Sequence, residues 1–331
     1  MADLLRIGAR GSKLSIAQTE WVRARLAHVL GVDESALEIV PIVTSGDRLQ
    51  SGRLIEAGGK GLFTKELDEA LRDGRVDLAV HSLKDLPTDL PDDIALACVP
   101  EREDPRDAFV SAKAKTLTEL PRGAVVGTAS LRRQAQTLHA RPDVRVVTLR
   151  GNIDTRLRKL EAGEADATFL ALAGLKRLGV ADRAISVIDP NDMLPAACQG
   201  ALAITTRTED AKTRAALAAL ENADARTEIE AERAFLRALD GSCRTPIGAL
   251  ARKTGAVLSF IGETLTPDGT TRWRRAATAT LGADAIADAQ ALGDKLGREI
   301  AVGGAHIREP RRARRGGGGV ADGEHAELSP R

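Results

Sequence analysis

Several clusters in this chain could do chemistry, and each lies where an apolar run stops. Residues 76–81 read as a buried strand, and Ser82-Leu83-Lys84-Asp85-Leu86-Pro87 follows its end. Ligands of open α/β sheets bind beyond the carboxyl ends of strands, so Asp85, beside Lys84 and His81, is placed for acid–base or electrostatic work. The plainer reading is a surface turn closed by Pro87. Cys243 sits in Gly241-Ser242-Cys243-Arg244, just past an amphipathic helix that ends near Asp240. Arg233, Arg237 and Arg244 lie close in sequence, and nearby cations favour thiolate over thiol. A small half-buried Cys in a turn is the bland alternative.

Arginine recurs at strand ends. Arg10-Gly11-Ser12 joins a strand at 4–9 to a helix that starts at Ser12 or Lys13. Free N–H groups and the helix dipole at such a turn suit a carboxylate; an ordinary N-cap Ser with a solvated Arg explains the same residues. Further on, strands at 124–127, 144–149 and 167–172 each run into cations or a helix start. The first meets Thr128-Ala129-Ser130-Leu131-Arg132-Arg133, the second Arg150-Gly151-Asn152 with Arg156 in the next helix, the third Lys176-Arg177. On one edge of one sheet, three such ends build an anion pocket. Lys60, in Gly58-Gly59-Lys60-Gly61, lacks the surrounding pattern of a nucleotide phosphate loop.

The elements that position these groups alternate strand and helix, the pattern of an α/β fold. Two units look alike. Ile7-Gly8-Ala9-Arg10-Gly11-Ser12 and Val126-Gly127-Thr128-Ala129-Ser130 both go strand, small residues, Ser, helix, and each then reaches a glutamine, Gln18 and Gln134. Two similar α/β domains facing each other would put a cleft between them. Charged, Pro-bearing stretches at 100–105 and 188–195 are hinge candidates, and a strand at 199–204 could rejoin the first unit, making it discontinuous. Residues 45–61, polar and aperiodic, read as a lid. From 248 to 281 short apolar runs alternate around Thr266-Pro267-Asp268-Gly269, and a helix at 283–300 closes a small third domain.

Composition narrows the class. The net charge is +1 over 331 residues, so the chain as a whole is no polyanion binder. Aromatics make up 2% and Tyr is absent, which argues against stacking on many nucleobases. The cysteines, Cys98, Cys198 and Cys243, are odd in number and without paired spacing, against a disulfide framework or a zinc site. The amino-terminal residues lack a signal-peptide layout and no apolar run reaches the ~20 residues that span a bilayer, so a reducing cytoplasm is expected. The Arg- and Gly-rich segment 303–331 is expected to be a disordered tail.

Taken together, Arg10-Gly11-Ser12, 58–63, 81–87, 127–134, 149–152, 194–200 and the Cys243 segment, in this order and spacing, resemble the porphobilinogen deaminase (hydroxymethylbilane synthase) family from Arg6 to about Gly262. The resemblance implies three domains. The first two are similar to the lobes of type II periplasmic binding proteins around a cleft, and the third is a small α+β domain whose antiparallel sheet accompanies the cofactor loop. The boundaries expected are 1–99 with 200–218, 100–199, and 219–302. The resemblance also implies a dipyrromethane cofactor held as a thioether on Cys243, and four head-to-tail condensations of porphobilinogen with loss of ammonia. Asp85 would be the catalytic carboxylate, stabilising an azafulvenium-like cation. Lys84, Ser130, Arg132, Arg133 and Arg150 would hold the cofactor, and Arg10, Ser12, Thr128 and Arg156 the substrate carboxylates. Phe63 packs on a pyrrole face or serves the core or lid hinge, and Gln199 touches the cleft. Neither metal, nucleic acid nor membrane is expected, and the family expectation is a monomer. The competing readings are a non-enzymatic two-lobed anion binder, which needs neither Cys243 nor Asp85, and a nucleotide-using transferase built on Lys60.

Overall fold

The computed structural model describes residues 5–48, 62–239 and 245–303. The first sheet is built from β1 (Leu5–Arg10), β2 (Leu37–Ile42), β3 (Leu78–Ser82) and β4 (Ile94–Cys98), joined by the late strand β10 (Leu202–Arg207). Its order is β2-β1-β3-β10-β4; β1 is parallel to β2 and β3, and β10 runs antiparallel between β3 and β4. Helix α1 (Lys13–Leu30) covers one face, where Val22 and Leu26 meet Ile7, Leu78 and Ile204. The single turn α2 (Ser45–Arg48) precedes α3 (Lys65–Arg72), which covers the other face with Leu67 and Leu71 against Ile42 and Ala79.

The second sheet repeats this plan. Its strands are β5 (Asp107–Ser111), β6 (Val125–Gly127), β7 (Arg145–Val147), β8 (Ala167–Ala171) and β9 (Ser186–Val187), in the order β7-β6-β8-β5-β9. Here too three parallel strands are followed by an antiparallel one that arrives from the other lobe. Helices α4 (Leu131–Ala140), α5 (Ile153–Glu161) and α6 (Leu172–Arg177) follow β6, β7 and β8. The repeat read in the sequence is therefore real, with one correction of register. Gln18 stands six residues after the N-cap Ser12, and the residue six after the N-cap Ser130 is Gln136, not Gln134. Gln18 and Gln136 are both buried, whereas Gln134 reaches out to the Pro267 carbonyl at 3.2 Å.

After α7 (Ala211–Leu217), α8 (Ala223–Ala238) begins the third domain, where it packs with α9 (Ala285–Gly303) on the antiparallel sheet β11 (Ile247–Thr254), β12 (Val257–Leu265) and β13 (Arg272–Thr280). The helices fit closely because of small residues: a Cβ on Gly293 would lie 2.0 Å from the Ala231 carbonyl oxygen.

The chain crosses between lobes twice, and the crossings bond to each other. Arg102 donates through Nε to the Gln199 carbonyl at 3.0 Å, and Gln199 donates back to the Pro105 carbonyl at 2.7 Å. Gly200 has φ +90°, and a Cβ there would meet the Glu103 carbonyl oxygen at 2.2 Å, so no larger residue fits. Cys198 adopts φ 63°, costly for a residue with a Cβ, and its N–H is held by the Glu232 carboxylate. Glu232, fully buried on α8, also accepts from Arg102 at 2.7 and 3.1 Å and from the Ala251 N–H at 2.8 Å. One carboxylate thus ties both crossings to the third domain. Removing one partner of a buried ion pair strands the other, so Glu232→Ala is expected to lower stability by about 3–5 kcal/mol in urea unfolding. Removing the exposed Lys13–Asp154 pair should cost less than about 1 kcal/mol. Equal effects would remove the junction from its central role.

Candidate active site

The first lobe brings Asp85 to the cleft on a rigid turn. After β3 the chain makes one tight helical turn, Leu83–Asp85, anchored because Leu83 is buried and its N–H donates to the Ala201 carbonyl at 3.0 Å. Ser82 is fixed by Gln18 of α1 at 2.9 Å. On the far side, Arg233 of α8 donates to the carbonyls of Pro87 at 3.1 Å and Thr88 at 2.7 Å. That buried Arg233 is committed to this turn. Asp85 itself is exposed and pairs with no described residue. His81 lies buried beneath, with Nε2 at 3.0 Å from Thr205 Oγ1. Burial, aided by the Arg10 charge, pulls its pKa to about 4, so near neutral pH it carries no charge.

Arg10, Ser12, Phe63 and Asp85 share a small pocket of about 70 Å³ with Gln18 and His81. Arg10 stacks 4.0 Å from the Phe63 ring centre and pairs with Asp47 at 2.5 Å. Phe63 therefore meets a guanidinium in this structure. Ser12 caps α1 by accepting from the Ser15 N–H at 3.3 Å.

The second lobe presents its cations along one sheet edge, since β6, β7 and β8 are parallel and end together. Ser130 caps α4, accepting from the Arg133 N–H at 3.4 Å, and Thr128 Oγ1 accepts from the Ser130 N–H at 3.1 Å. Arg132 and Arg133 are each 5% exposed. Both donate to Asp107, at 2.7 Å each, and also to the carbonyls of Leu194 at 2.7 Å and Phe169 at 2.8 Å. Gln199 donates to the same Asp107 at 2.8 Å and accepts from Lys84 Nζ at 3.2 Å. Burial alone would raise the Asp107 carboxyl, but Arg132 and Arg133 hold it far below the usual carboxylate range. Asp107 thus neutralises one charge of the pair and leaves the other, and the Nε of each arginine has no partner.

Arg150 and Arg156 are half-buried and form no ion pair among the described residues. Arg156 donates through Nε to the Gly151 carbonyl at 2.8 Å. Burial, then Arg133 and Arg150, push its pKa down to about 10, while Asp85 in the other lobe pulls the opposite way. Lys84 is lowered to about 8, first by burial, with Arg133 and Arg132 adding to the fall and Asp85 and Asp107 opposing it. Lys84 is joined to Arg132 and Arg133 of the other lobe through Gln199 and Asp107. Cys243 lies outside the described residues, as do Lys60 and most of the expected lid, 49–61; α8 ends at Ala238. Cys98 and Cys198 are buried, and burial pushes both thiols up to about 12, out of nucleophilic use.

Sequence reasoning missed Asp107 and Arg102. A signal for Asp107 existed. It opens the apolar run Ala108-Phe109-Val110 two residues after Pro105, and a carboxylate entering a buried strand must find cationic partners.

Two like-ordered α/β lobes, the second with arginines at its parallel strand ends, and an antiparallel third domain define a two-lobed α/β protein. The chain belongs to the porphobilinogen deaminase family: residues 5–215 match "Porphobilinogen deaminase, dipyromethane cofactor binding domain" and residues 226–301 match "Porphobilinogen deaminase, C-terminal domain". It is 57% identical over 309 residues to the porphobilinogen deaminase of Caulobacter vibrioides (strain NA1000 / CB15N), covering 91% of this chain and 96% of that one. The porphobilinogen deaminase of Phenylobacterium zucineum (strain HLK1) is 52% identical over 306 residues, 90% of this chain and 95% of its own. Among solved structures, a periplasmic substrate-binding protein of an ABC transporter from Coxiella burnetii aligns with TM-score 0.43 and 16% identity over 66% of this chain and 92% of its own.

The lowered Lys84 makes a pH test possible. An ammonium with a pKa of about 8 is charged below that pH and neutral above it, so a carboxylate ligand loses a partner as pH rises. The kcat/KM of the free enzyme is expected to fall above about pH 8 through a rise in KM. Lys84→Met should flatten that limb, and an unchanged limb in the variant would assign it to another group.

Proposed function

We propose that this chain carries out the porphobilinogen deaminase reaction. Four porphobilinogen molecules condense head to tail, each losing ammonia, on a dipyrromethane joined to Cys243, and water then releases hydroxymethylbilane. The observation that carries this reading is the cleft: Lys84, Arg150, Arg156 and the residual charge of the Arg132–Arg133–Asp107 cluster face a single unpaired carboxylate, Asp85. Each pyrrole brings an acetate and a propionate, and arginine and lysine side chains take such acceptors in charge-assisted hydrogen bonds. The cleft residues therefore fit a dipyrromethane, which when bound supplies the nucleophilic pyrrole carbon and the covalent tether.

The protein's own residues divide the remaining work. Asp85 accepts the pyrrole N–H groups and stabilises the positive charge that develops as ammonia leaves. It is also placed to carry the proton to the departing amine. Lys84, Ser130, Arg132, Arg133 and Arg150 hold the cofactor carboxylates; Arg10, Ser12, Thr128 and Arg156 hold those of the incoming substrate. Gln199 positions Lys84 against Asp107, and Phe63 keeps the Arg10 plane fixed. In this reading residues 1–99 with 200–218 form the first domain, 100–199 the second and 219–302 the third. The chain works as a cytoplasmic monomer without metal or nucleic acid, with 303–331 a tail outside the chemistry.

Two measurements test this. Intact mass of the purified protein should exceed that of the sequence by one dipyrromethane, and Cys243→Ala should abolish the increment. Asp85→Asn should retain the fold yet lose at least ~10²-fold in turnover, because the charge stabilises the transition state and an amide does not. Near-normal turnover in that variant would overturn the assignment.

A further inference from the structure

The third domain docks on the second lobe away from the cleft. The turn between β12 and β13 seats on α4: His139 Nδ1 lies 2.9 Å from the Gly269 carbonyl oxygen, and a Cβ on Gly269 would meet the Ala135 carbonyl oxygen at 2.5 Å. Arg274 closes the other end, donating to the carbonyls of Asn191 at 3.0 Å and Pro190 at 3.1 Å. Between these clamps the two surfaces part, leaving a cavity of about 580 Å³. That size holds a small organic molecule.

The polar groups of this cavity are unusual for a structural interface. Glu263 is 2% exposed, lines the cavity, and accepts no hydrogen bond from any described residue. It forms one ion pair, with Arg274 Nε at 3.4 Å, while Arg274 spends its Nη groups on lobe-two carbonyls. Gln136 Oε1, also in the lining, is a second buried acceptor without a partner. Arg272 lines the same cavity from the rim and forms no ion pair among the described residues. Glu263 pairs in register with Arg274 and Leu265 with Arg272, so Glu263 and Arg272 share one sheet face as diagonal neighbours. Diagonal neighbours stand roughly 7–8 Å apart at Cα. The accessible apolar walls are Leu117, Val187 and Ile188.

We propose that this cavity is a second ligand site, one that takes a compact zwitterion: an ammonium to Glu263 and Gln136, a carboxylate to Arg272, and an apolar side chain on the Leu117, Val187 and Ile188 walls. An aromatic or branched α-amino acid has this chemistry. A purely anionic ligand would leave Glu263 unsatisfied, and a purely cationic one would sit among Arg272, Arg274 and Arg132, the cations that face Glu263 together with His139. Burial raises the Glu263 carboxyl toward neutrality, and an incoming ammonium would reverse that shift. None of the groups proposed to touch the ligand is a cleft residue used in turnover.

The test is isothermal titration of the full-length protein with L-phenylalanine, phenethylamine and 3-phenylpropionate. L-phenylalanine is expected to bind at least tenfold more tightly than either truncated analogue. Glu263→Gln should weaken L-phenylalanine and phenethylamine tenfold and leave 3-phenylpropionate unchanged; Arg272→Gln should do the converse. Val187→Trp, at the exposed mouth, should block all three while Glu263 stays intact, which guards against misfolding of the buried variant. Absence of heat with the wild type, or binding indifferent to Glu263→Gln and Arg272→Gln, overturns the proposal.

Discussion

The buried pair of Arg102 and Glu232 is the constraint on which the arrangement of domains depends. Neither charge can turn to solvent, with side chains 3% and 0% exposed, so each must keep its partner or leave a bare ion in the interior. Glu232 satisfies Arg102 from the first crossing, Cys198 from the second and Ala251 from β11. The Glu232 bond to its N–H holds Cys198 in the left-handed region, and Gly200 is forced by the close approach of the neighbouring crossing.

A similar logic governs the cleft. Arg132 and Arg133 are too deep to sit as free cations, and Asp107 allows both to be buried at once. One negative charge under two positive ones leaves a fixed field directed at the space between the lobes. Gln199 links that cluster to Lys84, and Arg156 and Arg150 extend it along the sheet edge. Asp85 faces this field from the opposite lobe without a partner of its own. A carboxylate so placed stays available to a cationic centre on a bound molecule.

The third domain does more than cap the core. Arg233 reaches from α8 to the Pro87 and Thr88 carbonyls, so that helix is bonded to the turn that carries Asp85. The third domain and the Asp85 turn are thereby bonded directly to each other.

Much of this was legible before any coordinates. Alternation of strands and helices, the repeated strand-Ser-helix unit, the return of the chain after residue 199 and the three cation-bearing strand ends all follow from local pattern, because periodicity and capping act over a few residues. Strands β4, β5 and β9 were not legible; they are short edge or crossing strands whose pairing partners lie far away in the chain. The same reason hid Asp107. Its role exists only because β5 inserts beside β8 and brings it under Arg132 and Arg133. Residue type and order alone determined which groups stand at strand ends and that arginine and carboxylate chemistry was intended. Only tertiary structure decided which arginines are neutralised from below and which remain open, since that depends on burial and on partners no local pattern encodes.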